Sequence, residues 1–233
     1  MIPKHLEEYL REIVYGGVDG IITTFAVVAG FAGAQQTDSE LMHSIPIVTV
    51  LLFGLANLFA DGLSMAMGNF LSSKADAEGF IKLRSQTLER MKVDKHTEIA
   101  ETEQMFLRHG YSEQSAACLA KELSNHADTW VEVKMLLEQQ EANPLHSSPV
   151  GMALATLFSF VFFGAVPLLP YIFFQSSVDV FGLAIIGTVV ALSVLGGLRH
   201  VVTGISLPRA LIETVGLGSL AALTAYAVGL FFR

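Results

Sequence analysis

The chain has 233 residues, of which 52% are hydrophobic and 15% charged, with a net charge of -8. Soluble globular domains are about 25% charged, so the composition points to a membrane protein, and the acidic balance lacks the basic footprint that nucleic acid requires. The single cysteine, Cys118, can form no internal disulfide.

The first apolar run, Ile13 to Ala34, has the roughly 20 residues that cross a bilayer as a helix. It is too long for a cleaved signal peptide and carries Asp19, so it is expected to stay in the protein. After the basic-free loop Gln35 to His43 comes a second run, Ser44 to Leu71. Here Asn57, Asp61, Met65 and Asn69 recur every four residues, a polar line down one helix face that should meet protein or water rather than lipid. Gly16, Gly20, Gly30, Gly62 and Gly68 are expected to let helices approach closely around that line.

Residues 72–149 form a polar segment expected to be a helical module, leaving 1–71 and 150–233 as membrane portions. The stretch Ser72 to Ser148 holds nine of the 14 basic residues. Its pattern predicts helices from Lys74 to Met91, from Thr97 to His109 before Gly110, from Ser112 to Asn125, and from Asp128 to Ala142, stopped by Asn143 and Pro144. Glu98, Glu101 and Met105 fall at i, i+3 and i+7, which puts two carboxylates and a thioether on one face. Met135, Glu138 and Glu141 repeat the mixture on the last helix. Carboxylates suit divalent cations and a thioether favours softer ones, although acidic faces are commonly solvated and methionine commonly fills cores.

Three more runs follow: Val150 to Phe174, Val178 to Leu198, and Leu207 to Phe232. Pro167 and Pro170 are expected to loosen the third helix, and Pro208 to start the fifth. Glu213 is expected to pair with Arg209 at i-4, with reaching the path as the alternative. The fold class is therefore an all-α membrane protein of five transmembrane helices with a helical module inserted between the second and third. Cytoplasmic segments retain Lys and Arg. With the N-terminus inside, thirteen basic residues lie inside and only Arg233 outside, which makes the module cytosolic.

An ionisable side chain inside a spanning helix costs about 2.5–3.5 kcal/mol on insertion scales and is read as functional. At 1.5 Å per residue, Asp19 lies about 9 Å from the inner end of its helix, and Asp61 and Met65 lie about 13 and 8 Å from theirs, so the three can meet at one depth. Burial favours the protonated carboxyl, and a divalent ion must displace that proton to bind. Metal in one direction and protons in the other is the expected consequence.

The segments "REIVYGGVDGIITTFAVVAGFAGA" from Arg11, "ADGLSMAMGNFLS" from Ala60 and "FSFVFFGAVPLLPY" from Phe158 resemble the vacuolar iron transporter family, in the same order and over nearly the whole chain. The resemblance implies a homodimer that exports Fe2+ from the cytosol in exchange for protons, with Mn2+ and other divalent ions such as Co2+ or Zn2+ as further cargo and no prosthetic group. It implies that Asp19 and Met65 line the path at the dimer interface, and that Glu98, Glu101, Met135 and Glu138 match module metal ligands. The sequence departs from the family pattern at Lys134, where a second methionine is usual, at Thr87 and Arg90, where glutamates are usual, and at Asn69, where many members carry glutamate. The compact chain without a transit peptide is expected in a bacterial inner membrane. Two other readings compete. An intramembrane aspartyl protease would need a GxGD motif, but Val18 precedes Asp19 and Ala60 precedes Asp61. A metal-sensing membrane protein without transport would use the same residues.

Overall fold

The computed structural model describes residues 4–35, 47–138, 148–174 and 179–232. The basic-free loop after Gln35, the Asn143–Pro144 stop, Glu141 and Arg233 lie outside these residues. Among the described residues the chain is helical, with no strand. Five helical segments are long and apolar enough to cross a membrane: Leu6–Ala34, Ile47–Val93, Pro149–Phe173, Val180–Thr203 and Leu207–Phe231. The chain divides into two compact units, one formed by residues 1–71 and 147–233 and the other by residues 72–146.

In the first unit, helix α1 (Lys4–Ala34) is the element on which the third, fourth and fifth spans pack. Its small residues make this possible. A Cβ on Gly16 would lie 2.6 Å from the carbonyl oxygen of Thr156, and one on Gly20 would strike that of Phe160, so helix α6 (Pro149–Gly164) closes on α1 backbone to backbone. This corrects the expected role of the Gly16/Gly20 pair, which serves the α1–α6 contact rather than the polar line of the second helix. Ile21 packs with Leu192 and Leu195 of helix α8 (Val180–Thr203), and Gly229 of helix α9 (Leu207–Phe231) meets the carbonyl of Gly30.

Helix ends follow local chemistry. Ser148 accepts a bond from the Gly151 N–H at 3.3 Å with Pro149 in the first turn of α6, and Asp179 caps α8 through Gly182 N–H at 2.9 Å. At the other end of α8, Gly204 has a φ of 70°, the left-handed conformation that stops a helix with least strain in glycine. Pro167 and Pro170 break the third span as expected. Helix α6 gives way to a 3-10 turn at Val166–Leu168 and a short helix α7 (Leu169–Phe173). Pro208 opens α9.

Helix α2 runs without a break from Ile47 to Val93, so the separate helix expected from Lys74 is the continuation of the second span. The remaining module helices are α3 (Lys95–Arg108), α4 (Glu113–Leu123) and α5 (Ala127–Glu138). Ser112 caps α4 as expected, accepting from the Ser115 N–H at 3.3 Å, and Gly110 adopts φ 88° after α3. Asp128 does not cap α5; it lies in the first turn and pairs with Arg84 at 2.7 Å. The module core joins Phe80 and Met91 of α2 to Trp130, Val131 and Met135 of α5, and Trp130 donates its indole N–H to Thr102 Oγ1 at 2.8 Å.

Asp94 caps α3, accepting from Thr97 N–H at 3.1 Å and from the Thr97 hydroxyl at 2.8 Å. The backbone bond first and the hydroxyl second hold its carboxyl below the usual range. A carboxyl with a lowered folded pKa adds stability that is complete above its unfolded value, about 3.9, and is lost as pH falls through the folded one. Asp94→Ala should therefore lower the module's melting temperature at neutral pH, with the gap to wild type narrowing at acid pH when melting is followed by Trp130 fluorescence. A gap independent of pH would contradict the assignment.

Candidate functional site

Because Gly16 and Gly20 turn one face of α1 onto α6 while Gly17 and Ile21 turn another toward α8, the face carrying Tyr15 and Asp19 is left outward. Asp19 is half-buried there. It lines a cleft of about 710 Å³ between α1, α8 and α9, whose walls are mostly apolar, with Val14, Val18 and Leu217 among them. Arg11, Arg199 and Glu213 also line it. Glu213 is bonded to Arg199 at 2.7 Å and to Arg209 at 2.8 Å, so the expected pairing with Arg209 is present and a second arginine joins it. One turn beyond Asp19, the Thr23 hydroxyl donates to the Asp19 carbonyl at 2.9 Å.

On α2, Val50, Gly54, Leu58, Gly62 and Ala66 form the buried ridge, and Asn57, Asp61, Met65 and Asn69 lie immediately beside it, each half-buried. The polar line therefore borders the packed face rather than pointing into it. Gly54 admits Leu168 and Gly62 admits the Phe160 ring, whereas a Cβ on Gly68 would meet nothing within 4 Å, so Gly68 is not a point of close approach. Asp61 lies within electrostatic reach of Asp19. Asn57 lines a second cleft of about 600 Å³, walled by Ala26, Gly30 and Phe31 of α1 and by Val228 and Gly229 of α9. The two clefts follow one another along α1 and share α1 and α9 as walls.

Asn69 is drawn into a cluster that the spacing of polar residues did not announce. Its amide donates to Glu12 and to Thr156 Oγ1 at 2.7 Å, and the Thr156 hydroxyl donates to Glu12 Oε2 at 2.9 Å. Glu12 thus bridges three helices. A signal was present, since Glu12 precedes Asp19 by seven residues and so shares its helix face, but it stands at the margin of the apolar run and reads as a flank.

In the module the structure brings Glu98 and Glu101 together on α3, with the Lys134 ammonium of α5 on both. Met105 and Met135 are each buried, in separate clusters, the first with Phe106 and Ala116 and the second around Trp130. Glu138 belongs to α5 by its backbone. Among the described residues, no group of three or more His, Cys, Asp or Glu side chains could hold a metal ion.

The chain matches the model of the VIT family over residues 10–230. It is 28% identical over 219 residues to vacuolar iron transporter 1 of Oryza sativa subsp. japonica, covering 94% of this chain and 83% of that protein. Vacuolar iron transporter 1 of Arabidopsis thaliana is 25% identical over 219 residues, with 94% and 84% covered. The vacuolar iron transporter of Toxoplasma gondii is 29% identical over 172 residues, with 71% and 52% covered.

Proposed function

The chain belongs to the VIT family, and from that premise we propose that it carries Fe2+ across a membrane in exchange for protons, with Asp19 as the group that holds either one. The observation that carries this reading is a half-buried carboxylate in a spanning helix, lining an open cleft and within reach of a second carboxylate, Asp61. Such a group is costly in a bilayer and opens onto a cleft, which favours a transport role over a structural one. An arriving divalent ion displaces the Asp19 proton; on the far side a proton returns and the ion leaves. Asp61 lowers the cost of holding a doubly charged ion at this depth, and the Met65 thioether adds affinity for softer ions. Asn57 and Asn69 continue the polar line on either side. Mn2+, Co2+ and Zn2+ compete for the same ligands.

The clefts lie open along α1, with α9 as their wall and the exposed apolar side chains Leu217 and Leu220 lining the first of them. A second copy of the chain covering this face would enclose the path, and a homodimer is the assembly we propose. The excess of basic residues favours a cytosolic N-terminus and module, and export from the cytosol is the direction we propose.

The reading is tested by metal uptake into proteoliposomes under an opposing pH gradient, with the four ions in competition. Met65→Ala should keep transport but lower it about 3- to 10-fold, equivalent to about 0.7–1.4 kcal/mol, and lower it more for Fe2+ than for Mn2+. An equal loss for both ions would remove Met65 from the selectivity argument.

A further inference from the structure

Lys134 is one of the largest side chains in the protein to be fully enclosed, with 1% of its surface exposed. A lysine is almost never buried to that degree unless its charge is matched. Here its ammonium bonds Glu98 Oε2 and, at 3.1 Å, Glu101 Oε2, both on α3. Arg90 Nε reaches the other oxygen, Glu98 Oε1, at 3.3 Å. Glu98 is itself 5% exposed. Met105 follows the two glutamates on the same helix and Met135 follows Lys134 directly. Two carboxylates from one helix are the donor type that would take a divalent ion, while the two thioethers are held in separate apolar clusters. The oxygens such an ion would need already carry cations supplied by the chain.

We infer that Lys134 stands as a resident cation between Glu98 and Glu101, in the place a divalent ion would take, so that the module is assembled by its own lysine and binds no metal at these two glutamates. The physical requirement is the same for either cation. Two carboxylates brought together, Glu98 enclosed and Glu101 half exposed, repel, and a positive charge between them lets the helices close. An ion could enter only by expelling the ammonium into the same interior, where it would be left unmatched. Module assembly is then independent of metal supply, and ion choice falls to the membrane residues. This inference goes beyond the transport reading and does not rest on it.

Trp130 makes the test local. It is the chain's one tryptophan, and it lies one helical turn before Lys134 on the same face of α5. Full-length protein in detergent is titrated with Mn2+ or Co2+, with bound ions per chain measured by equilibrium dialysis and Trp130 emission recorded alongside. Wild type and Glu98→Gln/Glu101→Gln should bind equal numbers of ions, with no saturable quenching of Trp130 in either. Lys134→Met should gain one saturable ion per chain, with quenching, and adding the two glutamine substitutions should abolish the gain. A wild-type count that drops by one in Glu98→Gln/Glu101→Gln overturns the inference, as does a Lys134→Met protein that keeps the wild-type emission maximum yet gains no ion. If Lys134→Met or the double glutamine variant unfolds, wild type is compared with the triple variant, where equal counts support the inference and a loss of one ion overturns it. Asp19 is present in every variant, so a failure of metal binding in the membrane unit shifts all counts alike and leaves the comparison intact.

Discussion

Asp19→Asn should reduce proton-driven metal uptake in proteoliposomes to the rate of empty vesicles. Asparagine matches the shape of aspartate and keeps a carbonyl oxygen, so the cleft and the α1–α6 contact are undisturbed. What it removes is the negative charge and the exchangeable proton together. Truncating one partner of a desolvated charge pair costs about 2–5 kcal/mol, which corresponds to a loss between about thirty-fold and several-thousand-fold. The neighbouring Asp61 remains, but alone it must face a divalent ion without the second carboxylate that Asp19 supplies. Asp19→Glu, which restores the charge at a longer reach, should recover part of the flux. Helical content and melting of both variants should match wild type, because Asp19 borders a cleft and both substitutions keep a polar side chain of similar shape there. Unchanged uptake in Asp19→Asn would discard the mechanism.

Lys134→Ala should be the most destabilising single change in the module. Removing one partner of a buried ion pair costs about 3–5 kcal/mol, because the other charge is left unmatched. For Lys134 the charges left behind are Glu98, enclosed and met by Arg90 at 3.3 Å on its other oxygen, and Glu101, half exposed. In a unit of this size each kcal/mol lowers the melting temperature by about 4–8 °C, so Trp130 fluorescence should report a fall of more than about 12 °C. Replacing Glu98 and Glu101 with glutamine in the same chain should return much of the lost stability, since the repulsion is removed along with the lysine. An alanine variant that melts within a few degrees of wild type would show that the cluster contributes little.

The five spans were legible because apolar composition and length alone define a membrane helix, and Gly110, Ser112 and Pro208 mark their helix boundaries by local backbone chemistry. What the sequence hid was contact between distant residues. The polar switch at Ser72, Ser73 and Lys74 looks like the end of a span, yet all three can continue a helix, and α2 does so to Val93. Asp128 has the right type for a helix cap, but Arg84, 44 residues earlier, takes its carboxylate. The periodicity of α3 put Glu98, Glu101 and Met105 on one face, and they do share it; the cation facing them comes from α5, across 36 residues, which no period reveals. Glu12 was missed for a related reason, because its partners Asn69 and Thr156 lie on two other helices. Asp19, by contrast, needed no partner to be noticed. A charge inside an apolar run is a local anomaly, and the cleft around it was the part left for the structure to supply.

Transport on these terms turns on one carboxyl exchanging a proton for a metal ion, and the most direct measurement follows both species in the same vesicles. Proteoliposomes holding a pH-sensitive dye inside are given Fe2+ or Mn2+ outside, with no gradient imposed, and metal uptake and internal pH are recorded together. The predicted result is that metal entering is matched by protons leaving, so the interior becomes alkaline, and that Asp19→Asn abolishes both signals. Metal uptake that proceeds with internal pH unchanged, or proton movement that survives in Asp19→Asn, would contradict it.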